Sequence, residues 1–140
     1  PLFQAEGMAV FGLITSEFEG AKKFLVHAKP EAGCFDRIEL APTVQLEAAV
    51  AESEYLPLDS LFFELLENGA EIKNDVILSE EGGRFYHEQN RNIILNVSPE
   101  KVGELPEGYF WLDYKTLNGM VQYNNVLNIQ LRNLLSLLEM

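Results

Sequence analysis

Few side chains in this sequence can move a proton or grip an anion. Its 140 residues include two His (His27 and His87), one Cys (Cys34) and four Arg. A zinc site takes three or four ligands at suitable spacing. Neither His has a second His or Cys beside it, so no metal site is expected. Cys34 is followed by Phe35 and Asp36, which do not favour a thiolate, and it reads as a small loop residue. A G-x-S-x-G elbow, a Walker loop and a G-x-G-x-x-G turn are all absent.

The stretch richest in usable groups is Ala28 to Gln45, AKPEAGCFDRIELAPTVQ. Lys29 and Glu31 end an apolar run, Gly33 marks a turn, and a short strand-like piece follows. Pro42-Thr43-Val44-Gln45 then reads as a helix start, where free N–H groups can hold an anion. The stretch is expected to floor a ligand pocket. His27 precedes it in an apolar run and is either a core His with one hydrogen bond or a proton-transfer group.

Two further clusters have alternative readings. Gln89-Asn90-Arg91-Asn92 interrupts a strand-like segment. A turn accounts for the Asn residues, and an Arg fork for phosphate accounts for Arg91. Asn128 and Arg132 are spaced i, i+4, so on a helix they reach one ligand together, while Asn124 or Asn125 suffices as an N-cap.

The elements that must position these groups follow from periodicity. Met8–Thr15 and Lys22–Ala28 are nearly continuous apolar runs, as in strands buried on both faces, with a hairpin turn at Glu19-Gly20. Arg37–Leu40 is a third, short strand. Thr43–Ser53, rich in Ala, is expected to be helical. Leu58, Leu61, Phe62, Leu65 and Leu66 repeat at helical spacing between Leu56 and Asn68, after Pro57 and before Gly69. This helix is a core element. Glu71–Ser79 alternates weakly as a strand, and Arg84–Val97 reads as one long strand or two paired ones. Ser98–Gly108 is a loop, Tyr109–Tyr114 an aromatic cluster, Lys115–Met120 a short helix and Asn124–Leu138 a final helix. Strands interleaved with helices predict a mixed sheet covered by helices.

Composition narrows the function classes. One 140-residue domain with 47% hydrophobic residues has enough material for one packed core. A formal net charge of −12 disfavours nucleic acid and anionic membranes as partners, since phosphate contacts need the opposite balance. No apolar run is long enough to span a membrane, and the N-terminal residues do not read as a signal peptide. A single Cys fits a reducing cytoplasm.

The residues also resemble one repeat of the NDP-hexose 2,3-dehydratases of deoxysugar biosynthesis. The resemblance is carried by Phe24–Gly33 (FLVHAKPEAG), Leu40–Gln45 (LAPTVQ), Asn90-Arg91-Asn92, Phe110-Trp111-Leu112 with Leu117, and Asn124–Asn128 (NNVLN) with Arg132. It implies an α+β fold, a Nudix-like mixed sheet between helices in α/β/α layers, with residues 1–140 as a single repeat. It also implies a dTDP-4-keto-6-deoxyhexose substrate, loss of water across C2 and C3, and no cofactor. Members usually carry two repeats and work as dimers, so a homodimer or a second repeat is the implied partner.

Candidate acid and base groups are His27, Glu31, Tyr86 and Tyr123. Lys29, Arg91 and Arg132 are expected at the diphosphate, and Thr43, Gln45, Asn90, Asn92 and Asn128 at other polar atoms of the ligand. This sequence has His27 where the family usually has Gln, Gln89 where it has a basic residue, and Gln130 where it has an acid. Against a Nudix box, Gly33 and Glu39 fit, but Glu47-Ala48 and Ala51-Glu52 break the metal-binding carboxylate cluster.

Overall fold

The computed structural model describes residues 8–30, 38–47, 51–80, 88–121 and 129–138. Within them seven strands form one sheet: β1 (Ala9–Phe18), β2 (Ala21–Pro30), β3 (Ile38–Ala41), β4 (Val44–Leu46), β5 (Glu71–Glu80), β6 (Glu88–Asn96) and β7 (Tyr109–Asp113). Among the described residues four helices accompany them: α1 (Pro57–Glu67), α2 (Pro99–Val102), α3 (Tyr114–Val121) and α4 (Ile129–Leu138). The predicted strands and three of the predicted helices are present, and the expected loop after β6 contains the four-residue α2.

The β1–β2 hairpin closes through Glu19 and Gly20 at φ 52° and 86°, the two positive values that a tight two-residue connection needs. β1 then becomes the centre of the sheet. Its second half pairs antiparallel with β2, and its stretch from Ala9 to Thr15 runs parallel to β6. β5 flanks β6, and β7 flanks β2 on its far edge.

One expectation fails. Where the segment from Thr43 is described it is not helical but a strand: β4 pairs with β1 at Val10↔Leu46, Phe11↔Gln45 and Gly12↔Val44, and among the described residues a 3₁₀ turn, Glu52–Glu54, follows. Ala and Glu favour helix, but Val44 and Leu46 alternate, and both are buried against the sheet. Tertiary pairing overrides a weak local preference.

The strand alternation divides the core into two layers. Val10, Ile14, Leu25, Val44, Leu46, Ile93 and Leu95 face α1 and bury Leu58, Phe62, Phe63, Leu65 and Leu66. Ala9, Phe11, Leu13, Phe24, Val26, Leu40 and Ile94 face α3 and α4, meeting Leu117, Leu131, Leu134 and Leu135. α1 starts where the Asp59 carboxylate accepts the Leu56 N–H at 2.7 Å. It stops at Gly69, whose φ of 86° lets Gly69 and Ala70 donate to the carbonyls of Leu66 and Leu65.

Candidate functional site

Thr43 joins β3 to β4 at the point where β1 and β2 separate. It is buried, its hydroxyl donates to the Leu25 carbonyl at 2.6 Å, and it accepts the Ile14 N–H at 3.0 Å. Beyond this fork, β2 pairs with β3 (His27↔Ala41, Lys29↔Glu39) while β1 pairs with β4. The Thr43 hydroxyl is therefore spent on backbone groups.

The sheet sorts the remaining candidates onto opposite faces. Directly paired strand residues project to the same side. Phe11 is in register with Gln45 on one neighbour and with Asn92 on the other, so all three point toward α4. Asn90 joins them two residues along β6, beside Ala9. Asn90 and Asn92 are buried, at 7% and 2% exposure, and Asn92 Nδ2 donates to the Asn90 carbonyl at 3.3 Å. Asn92 Oδ1 is also buried and has no hydrogen-bond partner among the described residues. α4 brings Arg132, half-buried, to this side, with its far end tied down by Asn74 Nδ2 donating to the Leu137 carbonyl.

Arg91 lies between the two Asn residues and so projects the other way. Its fork is taken by Asp75 on β5: Nε donates to Oδ1 at 3.0 Å and Nη2 to Oδ2 at 2.7 Å. The Asn90-Arg91-Asn92 triplet therefore does not present all three side chains to one ligand.

His27 and Lys29 also face the α1 side. The His27 ring stacks on Tyr109, its partner across the β2–β7 ladder. Burial, and then the charge of Lys29, hold the imidazole below its usual pKa. The Tyr109 hydroxyl is buried without a hydrogen-bond partner among the described residues, and burial, then Asp59, push it up to about 12. Burial pushes the Asp59 carboxyl up, opposed by the Leu56 N–H and by Lys29.

Sequence reasoning missed Asp59 and Tyr109. Asp59 resembles an ordinary first-turn acid, and only tertiary packing reduces its exposure to 3%. Glu31, Tyr86, Tyr123 and Asn128 lie outside the described residues. Among the described residues no group of three or more His, Cys, Asp or Glu can hold a metal ion, and no helix is long and apolar enough to cross a membrane.

A family model described as NDP-hexose 2,3-dehydratase matches residues 1–138. The chain belongs to the NDP-hexose 2,3-dehydratase family. This family member is 33% identical over 141 residues to the dTDP-4-dehydro-6-deoxy-alpha-D-glucopyranose 2,3-dehydratase of Streptomyces violaceoruber, covering 97% of this chain and 30% of that protein. The enzyme of the same name from Saccharopolyspora spinosa is also 33% identical, over 144 residues, covering 99% of this chain and 29% of that protein. The chain thus spans about 30% of the length of the curated relatives it matches.

Among solved structures, this NDP-hexose 2,3-dehydratase family member is similar to the C. elegans Ap4A hydrolase. The TM-score is 0.50 at 12% identity, over 96% of this chain and 99% of that one. It is also similar to the C-terminal domain of mouse MUTYH, solved in complex with human PCNA. There the TM-score is 0.53 at 15% identity, over 96% of this chain and 88% of that one. These likenesses bear on the fold, which is the Nudix-like α+β arrangement implied by the resemblance.

Proposed function

We propose that this chain is one repeat of a nucleotide-sugar 2,3-dehydratase that removes water across C2 and C3 of a dTDP-4-keto-6-deoxyhexose. Family membership over residues 1–138 and the names of the curated relatives support the reading. The observation that carries the site is Asn92. Its buried Oδ1, with no partner among the described residues, lies in one row with Gln45 and on the same side as the helix of Arg132. A ligand hydroxyl or base N–H is the donor such an oxygen calls for.

In this reading Gln45, Asn90 and Asn92 hold polar atoms of the sugar or base. Arg132 meets the diphosphate with charge-assisted hydrogen bonds. The 4-keto group acidifies the C3 proton; a base takes it, and an acid protonates the departing C2 hydroxyl. The carbonyl is already in the substrate, so no cofactor is required. Glu31, Tyr86 and Tyr123 are the candidates for acid and base in this reading, because His27 faces the α1 side, across the sheet from Gln45 and Asn92. The working unit pairs this repeat with a second one or with another copy of the chain, and it works in the cytoplasm.

A second reading is a non-catalytic nucleotide-sugar-binding or dimerisation domain. One observation favours it: Asp75 already occupies the Arg91 fork that was expected at the diphosphate. Two measurements separate the readings. Incubation with the 4-keto sugar nucleotide, followed by mass spectrometry, gives a product lighter by one water if the chain is catalytic. Thermal melting with thymidine diphosphate gives a shift for either binding reading, since a ligand at ~100-fold its dissociation constant stabilises by about 2.7 kcal/mol. No shift and no product would leave only the dimerisation domain.

A further inference from the structure

We propose that Thr43 is a positioning residue: its hydroxyl pins the fork of β1 and β2, and thereby sets the register that turns Gln45 toward Asn92. The proposal rests on the reading that Gln45 and Asn92 face the nucleotide sugar.

Thr43 lies between two short strands, and each of its hydrogen bonds goes to a different long one. Ile14 and Leu25 are opposite each other in the β1–β2 ladder, at the last pair before the strands part. The Ile14 N–H meets Thr43 Oγ1, and the Leu25 carbonyl receives the Thr43 proton. Both backbone groups are buried and would otherwise have to find partners at a point where the ladder divides. The hydroxyl spans that division, and at 1% exposure it has no contact with solvent.

Its consequence for the site is one of register. The next residue, Val44, pairs with Gly12, and Gln45 pairs with Phe11. A slip of one residue in β4 would exchange the faces of Val44, Gln45 and Leu46. Gln45 would then enter the apolar layer under α1, and Val44 and Leu46 would leave it. β4 has only three residues to resist such a slip. The Thr43 anchor fixes where the strand begins and supplies what its length does not. The hydroxyl itself touches no ligand.

The test compares Thr43→Val, which removes the hydroxyl at nearly constant shape, with Thr43→Ser, which keeps it. The first readout needs no ligand: nuclear Overhauser contacts between Gln45 and Phe11, and between Val44 and Gly12. Thr43→Val should lose or redistribute them, and Thr43→Ser should keep them. The second readout is affinity for thymidine diphosphate. Thr43→Val should bind about ten-fold more weakly, Thr43→Ser should bind like the parent, and Thr43→Val/Gln45→Ala should bind no more weakly than Gln45→Ala.

Unchanged contacts in a folded Thr43→Val protein overturn the proposal, as do additive losses in the double variant. If Thr43→Val does not fold, hydrogen exchange in the parent decides. The Ile14, Gly12 and Val44 amides should open in one cooperative event, and independent opening of β4 overturns the idea. A parent that does not bind thymidine diphosphate sinks the proposed function, while the contact readout still judges Thr43.

Discussion

His27 and Tyr109 lie face to face across the β2–β7 ladder, their ring centroids 4.2 Å apart and their planes 8° from parallel. The stack closes one end of the α1 layer and removes part of the imidazole from water. Lys29, two residues along the same strand, adds a charge that opposes protonation. The folded protein therefore binds a proton at His27 less readily than the unfolded chain does. Stability from this residue is fully present above pH 6.5 and is lost as pH falls through the lower folded value. His27→Gln removes the titration. The melting temperature of the parent should fall relative to His27→Gln below pH 6.5, with a constant difference above it; parallel curves on both sides would contradict this.

Tyr109 titrates at the opposite end of the scale. Its pKa is raised from 10.0 to about 12, so the unfolded chain loses the proton first. The contribution is intact below pH 10 and disappears as pH rises through the folded value. Tyr109→Phe should flatten this alkaline loss. It should also stabilise the fold near neutrality, because it deletes a buried hydroxyl that has no partner among the described residues. A pH series of urea midpoints measures both.

Asp59 carries a cost that grows with pH. Its folded pKa is raised, so its contribution is present below 3.8 and is lost as pH rises through the folded value. Asn in its place can still accept the Leu56 N–H. Asp59→Asn should therefore match the parent in acid and exceed its melting temperature at neutral pH. A variant weaker than the parent at both ends would mean that the carboxylate cap outweighs the burial cost.

The Arg91–Asp75 pair has two good hydrogen bonds but is only partly buried, with side-chain exposures of 23% and 29%. Screening limits it to about 0.5–1 kcal/mol. Arg91→Ala and Asp75→Ala should each cost about that much, and the double variant no more than either single one. Arg91→Ala should leave any melting shift with thymidine diphosphate unchanged, because the fork serves the sheet. Loss of the shift would return Arg91 to the ligand.

Gly12 is a packing necessity. A Cβ built there would stand 2.5–2.9 Å from the Phe62 ring, which is fully buried. Gly12→Ala should destabilise by about 1–3 kcal/mol in urea unfolding. Pairing it with Phe62→Leu should give a loss smaller than the sum of the two single changes.

Elements with one strong period were legible in the sequence. The Leu58–Leu66 stripe gave α1, and continuous apolar runs gave β1 and β2. β4 was not legible, because three residues carry too little pattern to outweigh the Ala-rich segment after them. The candidate site was legible by residue type but not by direction. Gln45, Asn90, Asn92 and Arg132 share a side, whereas His27, Lys29 and Arg91 lie across the sheet from them. For Asn90-Arg91-Asn92 the period of two within a strand already required that split. Asp59 left no signal, because its burial depends on how α1 meets β2 and β7.

The parallel pairing of β1 with β6 also governs how the chain reaches its native state. Thr15 bonds the Leu95 carbonyl, 80 positions away in sequence. The middle of the sheet therefore closes only after most of the polypeptide has been made. Until then β1, apolar along nearly its whole length, has only the β2 hairpin arm and β4 to pair with. Contacts of this range slow folding and leave sticky intermediates exposed. A gene split between β4 and β6 should yield two halves that are insoluble apart and fold only when expressed together.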